Sequence, residues 1–207
     1  MEEQINQEGM STGSVRSQRA DRVGLDVEQL LKETTSLWKS SLADLVLLTL
    51  ILCLLIWIPI LNIALMAGYV RALLKVARGQ KPMLKDLFSA WDCFGWALVY
   101  GLAVFIGEMI LGTVPVLGWI LGMVLLMVAT PGFFAIVDSE MTAFEASKWS
   151  AAVFMSDSPG WIIVLLIGTL VGNAGWLLLV VGALFTLPWG YLLIARQYDK
   201  QKVLLEF

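Results

Sequence analysis

The chain has 207 residues, of which 58% are hydrophobic and 15% are charged, and its formal net charge is −3. About a quarter of the residues of a soluble domain are charged, so an apolar excess of this size needs lipid around it. The chain contains two cysteines and no histidine. The commonest general base and metal ligand is therefore missing, and no cysteine spacing suggests a metal site or a disulfide framework. We expect an integral membrane protein that is not an enzyme and that binds no cofactor, metal or nucleic acid.

The first forty residues divide into a polar tail and an amphipathic segment. Residues 1–24 contain almost no large apolar side chains, which is typical of a disordered tail. Over residues 25–40, apolar side chains recur at helical spacing, with charged residues between them. The pattern predicts an amphipathic helix. Two placements are open for it: the headgroup plane of the membrane, or the cytoplasmic face of the protein itself.

Residues 41–199 contain apolar segments that predict six membrane-spanning helices arranged as three helical hairpins. The first apolar run, residues 42–74, is interpreted as two helices that turn around Pro59 and Asn62. One long tilted helix is the alternative. Four further spans are expected near residues 96–111, 117–137, 161–170 with its flanks, and 176–195. The predicted fold is an all-α polytopic bundle, followed by a short tail over residues 200–207.

The basic residues predict the orientation of these spans. If the six spans are correct, all fourteen Lys and Arg residues fall on one side of the membrane. The opposite connections, around residues 62, 108–117 and 173–175, contain none. Because basic residues near spans are retained in the cytoplasm, both termini are expected there. The expected location is the inner, or cytoplasmic, membrane of a prokaryote.

Two segments of the chain, residues 83–138 and 142–199, resemble copies of one unit. In each copy a Gly-Trp pair opens both spans, and a proline follows the second tryptophan by twelve residues, at Pro131 and Pro188. Each copy starts with a short amphipathic segment. In the second copy this segment opens with Thr142 and Glu145 at capping-box spacing, which predicts a helix to about residue 155. The first hairpin, with the helix before it, fits the same plan as a third copy.

Three polar residues are predicted to lie near the outer ends of spans: Glu108, Asn173 and Asn62. A carboxylate at membrane depth is costly, and it indicates a functional site by default. Two interpretations are open. The three side chains line a vestibule that opens to the outside, or each only caps a helix end near water.

A stripe of basic residues follows the second predicted span, at Arg71, Lys75 and Arg78. Basic side chains near the cytoplasmic leaflet attract anionic headgroups, so the stripe predicts a contact with anionic lipid. The alternative is that these residues only set the topology and extend their charges to the membrane surface.

Prolines and glycines within the spans predict features of helix shape and packing. Pro131 and Pro188 are expected to kink their helices, either as hinges or ion sites or, more simply, to shape the bundle. Glycines at the ends of residues 118–122 and 168–172 lie on one helix face each, which favours close helix packing in lipid.

The segment from Gly68-Tyr69 through Arg71 to Gly79, followed by Lys81-Pro82 and Asp86-Leu87-Phe88, resembles uncharacterised prokaryotic multi-pass membrane protein families. The resemblance extends over about residues 42–199. It implies a bacterial or archaeal cytoplasmic-membrane protein, and it assigns no catalytic residues.

Two functions are expected from these features. The first is a non-enzymatic membrane protein, a scaffold or accessory subunit that organises a membrane complex or a lipid environment. Its partners are membrane lipids, and either a membrane protein or further copies of the chain. The alternative is a small transporter or channel with a path lined by Glu108, Asn173 and Asn62.

Overall fold

The computed structural model describes residues 27–58, 61–175 and 179–205, except for the side chains of residues 179, 180, 204 and 205. Every regular element in these residues is a helix, which confirms the predicted all-α class for this part of the chain. The predicted disordered tail (residues 1–24), Pro59 and Trp176 lie outside the described residues. The helices are α1 (Val27–Ser40), α2 (Leu42–Leu55), α3 (Leu61–Ala77), α4 (Leu84–Leu87), α5 (Phe94–Leu111), α6 (Leu117–Ser139), α7 (Ala143–Ser156), α8 (Ser158–Ala174) and α9 (Leu179–Leu205).

Two helices, α5 and α6, are each long and apolar enough to cross a membrane. Two pairs of consecutive helices meet at sharp bends: α1 and α2 at 83°, and α7 and α8 at 101°. If each bent pair is treated as a single span, the number of candidate spans rises to four. A spanning helix needs about 20 residues, whereas α2 has 14 and α3 and α8 have 17 each. The described residues therefore contain two to four candidate spans, and six spans in three hairpins remain a prediction.

Helices α3 and α9 form the centre of the bundle. Helix α3 packs against α2, α4, α5, α6 and α9, while α9 packs against α2, α3 and α8. Tyr69 of α3 meets Tyr191 of α9 edge to face, with 6.2 Å between the ring centroids. The hydroxyl of Tyr69 also pairs with that of Thr49 in α2 at 2.8 Å. The core thus lies where α2, α3 and α9 meet.

Glycines allow the backbones around this centre to approach closely. A Cβ at Gly190 of α9 would overlap the carbonyl oxygen of Gly168 in α8, and a Cβ at Gly68 of α3 would overlap that of Leu87 in α4. A Cβ at Gly122 of α6 would lie 2.6 Å from the Glu108 carboxylate of α5. The predicted close packing at residues 118–122 and 168–172 is therefore observed within the chain, as small residues permit in lipid.

Pro131 lies inside α6 and Pro188 inside α9, so both predicted kink positions fall within continuous helices. Next to Pro131, the Ser150 hydroxyl of α7 accepts a hydrogen bond from the Gly132 amide at 2.8 Å and donates one to the Val128 carbonyl. In an uninterrupted α-helix this amide and this carbonyl pair with each other. Tyr100 of α5 donates to the carbonyl of Ala129 at 2.7 Å. Side chains from α5 and α7 therefore satisfy backbone groups of α6 beside the proline.

Helix α7 begins at the predicted capping box. The Thr142 side chain accepts a hydrogen bond from the Glu145 amide, and the Glu145 carboxylate accepts one from the Thr142 amide at 3.0 Å. The cap fixes where α7 starts, and Ser150, eight residues further on, then faces α6.

Replacing Ser150 with alanine should destabilise the protein by about 1–3 kcal/mol, because it leaves backbone groups of α6 unpaired in an apolar setting. The matched control is Ser147→Ala, since the exposed Ser147 hydroxyl bonds only to Ala143 of its own helix. The control should change stability by less than about 0.5 kcal/mol. Thermal unfolding of both variants in the same detergent measures the difference. Equal effects of the two substitutions would contradict the role of Ser150.

Candidate functional site

Charged side chains from α1, α3, α4, α6, α9 and the turn before α5 form ion pairs at one end of the bundle, which we call the charged end. Its members are Glu33, Arg71, Lys75, Arg78, Asp86, Asp92, Asp138, Arg196, Asp199 and Lys202.

Asp138, in the last turn of α6, is the hub of the charged end. Arg78, directly after α3, donates to both of its carboxylate oxygens, at 2.8 and 2.7 Å, and Lys202 of α9 donates at 2.8 Å. The Tyr198 hydroxyl donates to the same carboxylate at 3.3 Å. Only 9% of the Asp138 side chain is exposed. Because water reaches this carboxylate poorly, the pairs with α3 and α9 are needed to keep it charged.

Two further ion pairs connect α4, and the turn after it, to α3. Lys75 donates to Asp86 at 2.7 Å, and Asp86 also accepts the Met83 amide at the start of α4. Arg71 donates to both oxygens of Asp92 at 3.0 Å. Burial raises the pKa of Asp92, but the hydrogen bonds from Arg71 outweigh it and leave that pKa below its usual value. The carboxylate of Asp92 therefore stays ionised around neutral pH.

The three basic residues predicted to contact anionic lipid each have a carboxylate partner inside the protein. Arg71, Lys75 and Arg78 pair with acidic residues that lie 21, 11 and 60 positions further along the chain. Their side chains remain between 23% and 36% exposed. The structure thus assigns them a role in holding the bundle together, which the stripe alone did not indicate. Contact with anionic lipid remains a prediction.

Helix α1 contacts the protein through α9. Arg196 of α9 donates to Glu33 at 2.8 Å, and Trp189 donates to the Thr35 hydroxyl at 3.2 Å. Burial raises the pKa of Glu33, but hydrogen bonds from Gln29 and Arg196 lower it below its usual value. These contacts correspond to the placement of α1 on the protein's own surface, and a lipid contact on its other face remains a prediction.

The three residues predicted to line a vestibule contact different parts of the protein. Glu108 of α5 lies against Gly122 of α6, and its Oε1 is buried without a hydrogen-bond partner among the described residues. Asn173 is exposed at the end of α8 and donates to the carbonyl of Thr169 at 2.8 Å. Asn62 lines a recess at the start of α3. No contact among the described residues joins the three side chains, and the vestibule remains a prediction.

An apolar cleft, formed by two adjoining recesses, lies between α3, α5 and α6. The recesses measure about 340 and about 230 Å³, and both are lined by Met66, Gly101 and Phe133. Asn62 and Ala97 extend the lining of the larger recess, and Tyr100 and Tyr191, among others, extend that of the smaller one. Sequence reasoning missed this cleft, because it depends on how far α5 lies from α3.

The described residues contain no group of three or more His, Cys, Asp or Glu side chains placed to hold a metal ion. Both cysteines are free thiols. The acidic side chains of the charged end are paired with Lys and Arg, so their negative charge is already balanced within the protein.

Comparison with protein-family models, curated proteins and solved structures finds no match to this chain. The resemblance to prokaryotic multi-pass families therefore remains a prediction. The apolar helices are consistent with a membrane protein, and a more specific function has to be argued from the contacts described above.

Replacing Asp138 with asparagine should destabilise the protein by about 1–3 kcal/mol, because it removes the negative charge shared by Arg78 and Lys202, while Arg78 keeps its ion pair with Asp199. The matched control is Asp44→Asn, since Asp44 meets the 81% exposed Lys81 side chain at 3.8 Å. An exposed pair of this kind contributes less than about 1 kcal/mol. Thermal unfolding in nanodiscs at neutral pH compares the two variants. An Asp138 variant as stable as the Asp44 variant would show that the hub is dispensable.

Proposed function

We propose that the protein is a non-enzymatic integral membrane protein that acts as a scaffold or accessory subunit, organising a membrane complex or the lipid around it. The observation that carries this proposal is the exposure of α5. Only Ala97 and Tyr100 of this 18-residue helix are buried. Its exposed large apolar side chains are Trp96, Val99, Leu102, Phe105, Ile106, Met109 and Ile110. An apolar surface of this extent needs lipid or a partner helix to cover it.

The proposed membrane arrangement has six spans in three hairpins, with both termini and the charged end in the cytoplasm of a prokaryote. The bends of 83° before α2 and 101° before α8 support it, because each lets a helix lie along the membrane surface while the next one enters. The retention of basic residues in the cytoplasm supports the orientation. The proposed repeat of residues 83–138 and 142–199 is supported by their element order, a short helix followed by two longer ones.

The second candidate function is a small transporter or channel, and one feature of Glu108 favours it. Its carboxylate lies in the last turns of α5, and one oxygen is buried without a hydrogen-bond partner among the described residues. Ionisable groups within spans commonly mark ion or proton paths. In this alternative Glu108 lies on the path, together with Asn173 and Asn62.

A Glu108→Gln variant separates the two functions. The full chain is captured from its native membrane in nanodiscs, and mass spectrometry identifies the proteins and lipids that accompany it. In the scaffold proposal, a protein partner or further copies of the chain accompany the wild type at fixed stoichiometry, and the variant retains them. Ion and proton flux through liposomes is measured in parallel and should not depend on residue 108.

The matched control is Glu140→Gln, because Glu140 is exposed and follows the end of α6. A fall in flux of about tenfold or more in the Glu108 variant alone, equivalent to about 1.4 kcal/mol in the limiting step, would favour the transporter. A lone chain with no protein partner, no selected set of accompanying lipids and no flux would contradict both functions.

A further inference from the structure

Gly101, in the middle of α5, has no packing reason within the protein to be glycine. A Cβ added at Gly68, Gly168 or Gly190 would press on a neighbouring backbone, whereas a Cβ at Gly101 would meet nothing within 4 Å. Glycine destabilises a helix interior relative to alanine. Gly101 also lines both recesses of the apolar cleft, at the point where they join. The missing side chain therefore keeps the cleft open along its length.

The cleft exists because α5 packs along α6 and diverges from α3. Near its start, α5 is held to α3 by the contacts of Arg71 with Asp92 and Cys93. Further along it follows α6, where Gly107 faces Leu125 and Glu108 faces Gly122. The space between α3 and α5 is left unfilled by the described side chains.

The cleft is continuous with the surface that α5 and α6 present to their surroundings. Leu102 and Phe105, which flank the Gly101 side of α5, are 53% and 59% exposed. Both helices are apolar and long enough to cross a membrane. An occupant can therefore enter sideways from the hydrocarbon layer, without passing through water.

Water is a poor occupant of this cleft, because water needs several polar partners in a cavity. The lining is mostly carbon, and its polar groups are largely engaged: the Tyr100 hydroxyl bonds to Ala129 and the Thr130 hydroxyl to Leu126. A partner helix is about 10 Å across, so it lies over the mouths of recesses of about 230 and 340 Å³ and does not enter them, whereas a single flexible chain can enter. A flexible hydrocarbon chain matches the apolar lining of the cleft.

We propose that the apolar cleft binds one acyl chain of a membrane phospholipid, which lies between Met66 and Phe133 and crosses α5 at Gly101. Asn62 lines the larger recess, and its side-chain amide makes no hydrogen bond to the described residues. That amide is placed to donate to the ester carbonyl of the same lipid. The acyl-chain contacts at Met66, Gly101 and Phe133 do not depend on which function is correct, whereas Asn62 is shared with the path of the transporter alternative.

The test uses the full chain in phosphatidylcholine vesicles that contain a small fraction of phosphatidylcholine with a photoreactive diazirine in one acyl chain. After illumination, mass spectrometry maps the labelled residues. The wild-type protein should be labelled at Met66 and Phe133 inside the cleft, and at Met109 on the exposed face of α5. Gly101→Leu should abolish the labelling at Met66 and Phe133 and leave Met109 labelled, because a leucine side chain fills the junction of the recesses.

The matched control is Gly95→Leu, because a Cβ at Gly95 also meets nothing within 4 Å, yet Gly95 lines neither recess. This variant should keep the wild-type pattern. If Gly101→Leu does not fold, Gly101→Ala should weaken the labelling of the cleft without removing it. Labelling of the cleft that is unaffected by substitution at Gly101 would overturn the proposal. A wild-type cleft that stays unlabelled while Met109 is labelled would also overturn it.

Discussion

The pairing of Asp138 with Arg78 and Lys202 is the interaction on which the arrangement of the bundle depends. It joins the ends of α6, α3 and α9, which are far apart in the sequence, and the carboxylate is only 9% exposed. Because an unpaired carboxylate in such a position would be strongly destabilising, the pairing holds the C-terminal parts of the three helices next to one another.

The protein has a closely packed centre, held by the ion pairs of the charged end, and an exposed apolar side formed by α5. Most residues of α3 and many of α9 are buried against neighbours, and the charged end joins them through ion pairs. Helix α5 is held to α3 near its start, and further along it packs mainly against α6. Most of its surface is therefore exposed, and a cleft remains beside Gly101. A closely packed centre with an open apolar flank is compatible with the proposed role in holding lipid or a partner helix.

The local features of the fold follow from the sequence, and the contacts between distant segments do not. Helix positions, the cap at Thr142 and the prolines inside helices are set by neighbouring residues, so periodicity and capping patterns predict them. The partner of Arg78 lies 60 residues away on another helix, and no local pattern identifies it. The contact of the Ser150 hydroxyl with the backbone beside Pro131 cannot be predicted for the same reason. Apolar composition also cannot distinguish a full span from helices as short as α2 or α8, because it does not register the bends before them.

The central claim is that the charged end marks one face of the membrane and that α5 and α6 carry the chain to the other face and back. It is tested most directly by single cysteines at Thr113, between α5 and α6, and at Glu140, after α6, in a chain without Cys53 and Cys93. Both positions are exposed. In intact cells, an impermeant thiol reagent should label the cysteine at position 113, and should label the one at position 140 only after the membrane is opened. Labelling of both positions from outside, or of position 140 alone, would contradict the account.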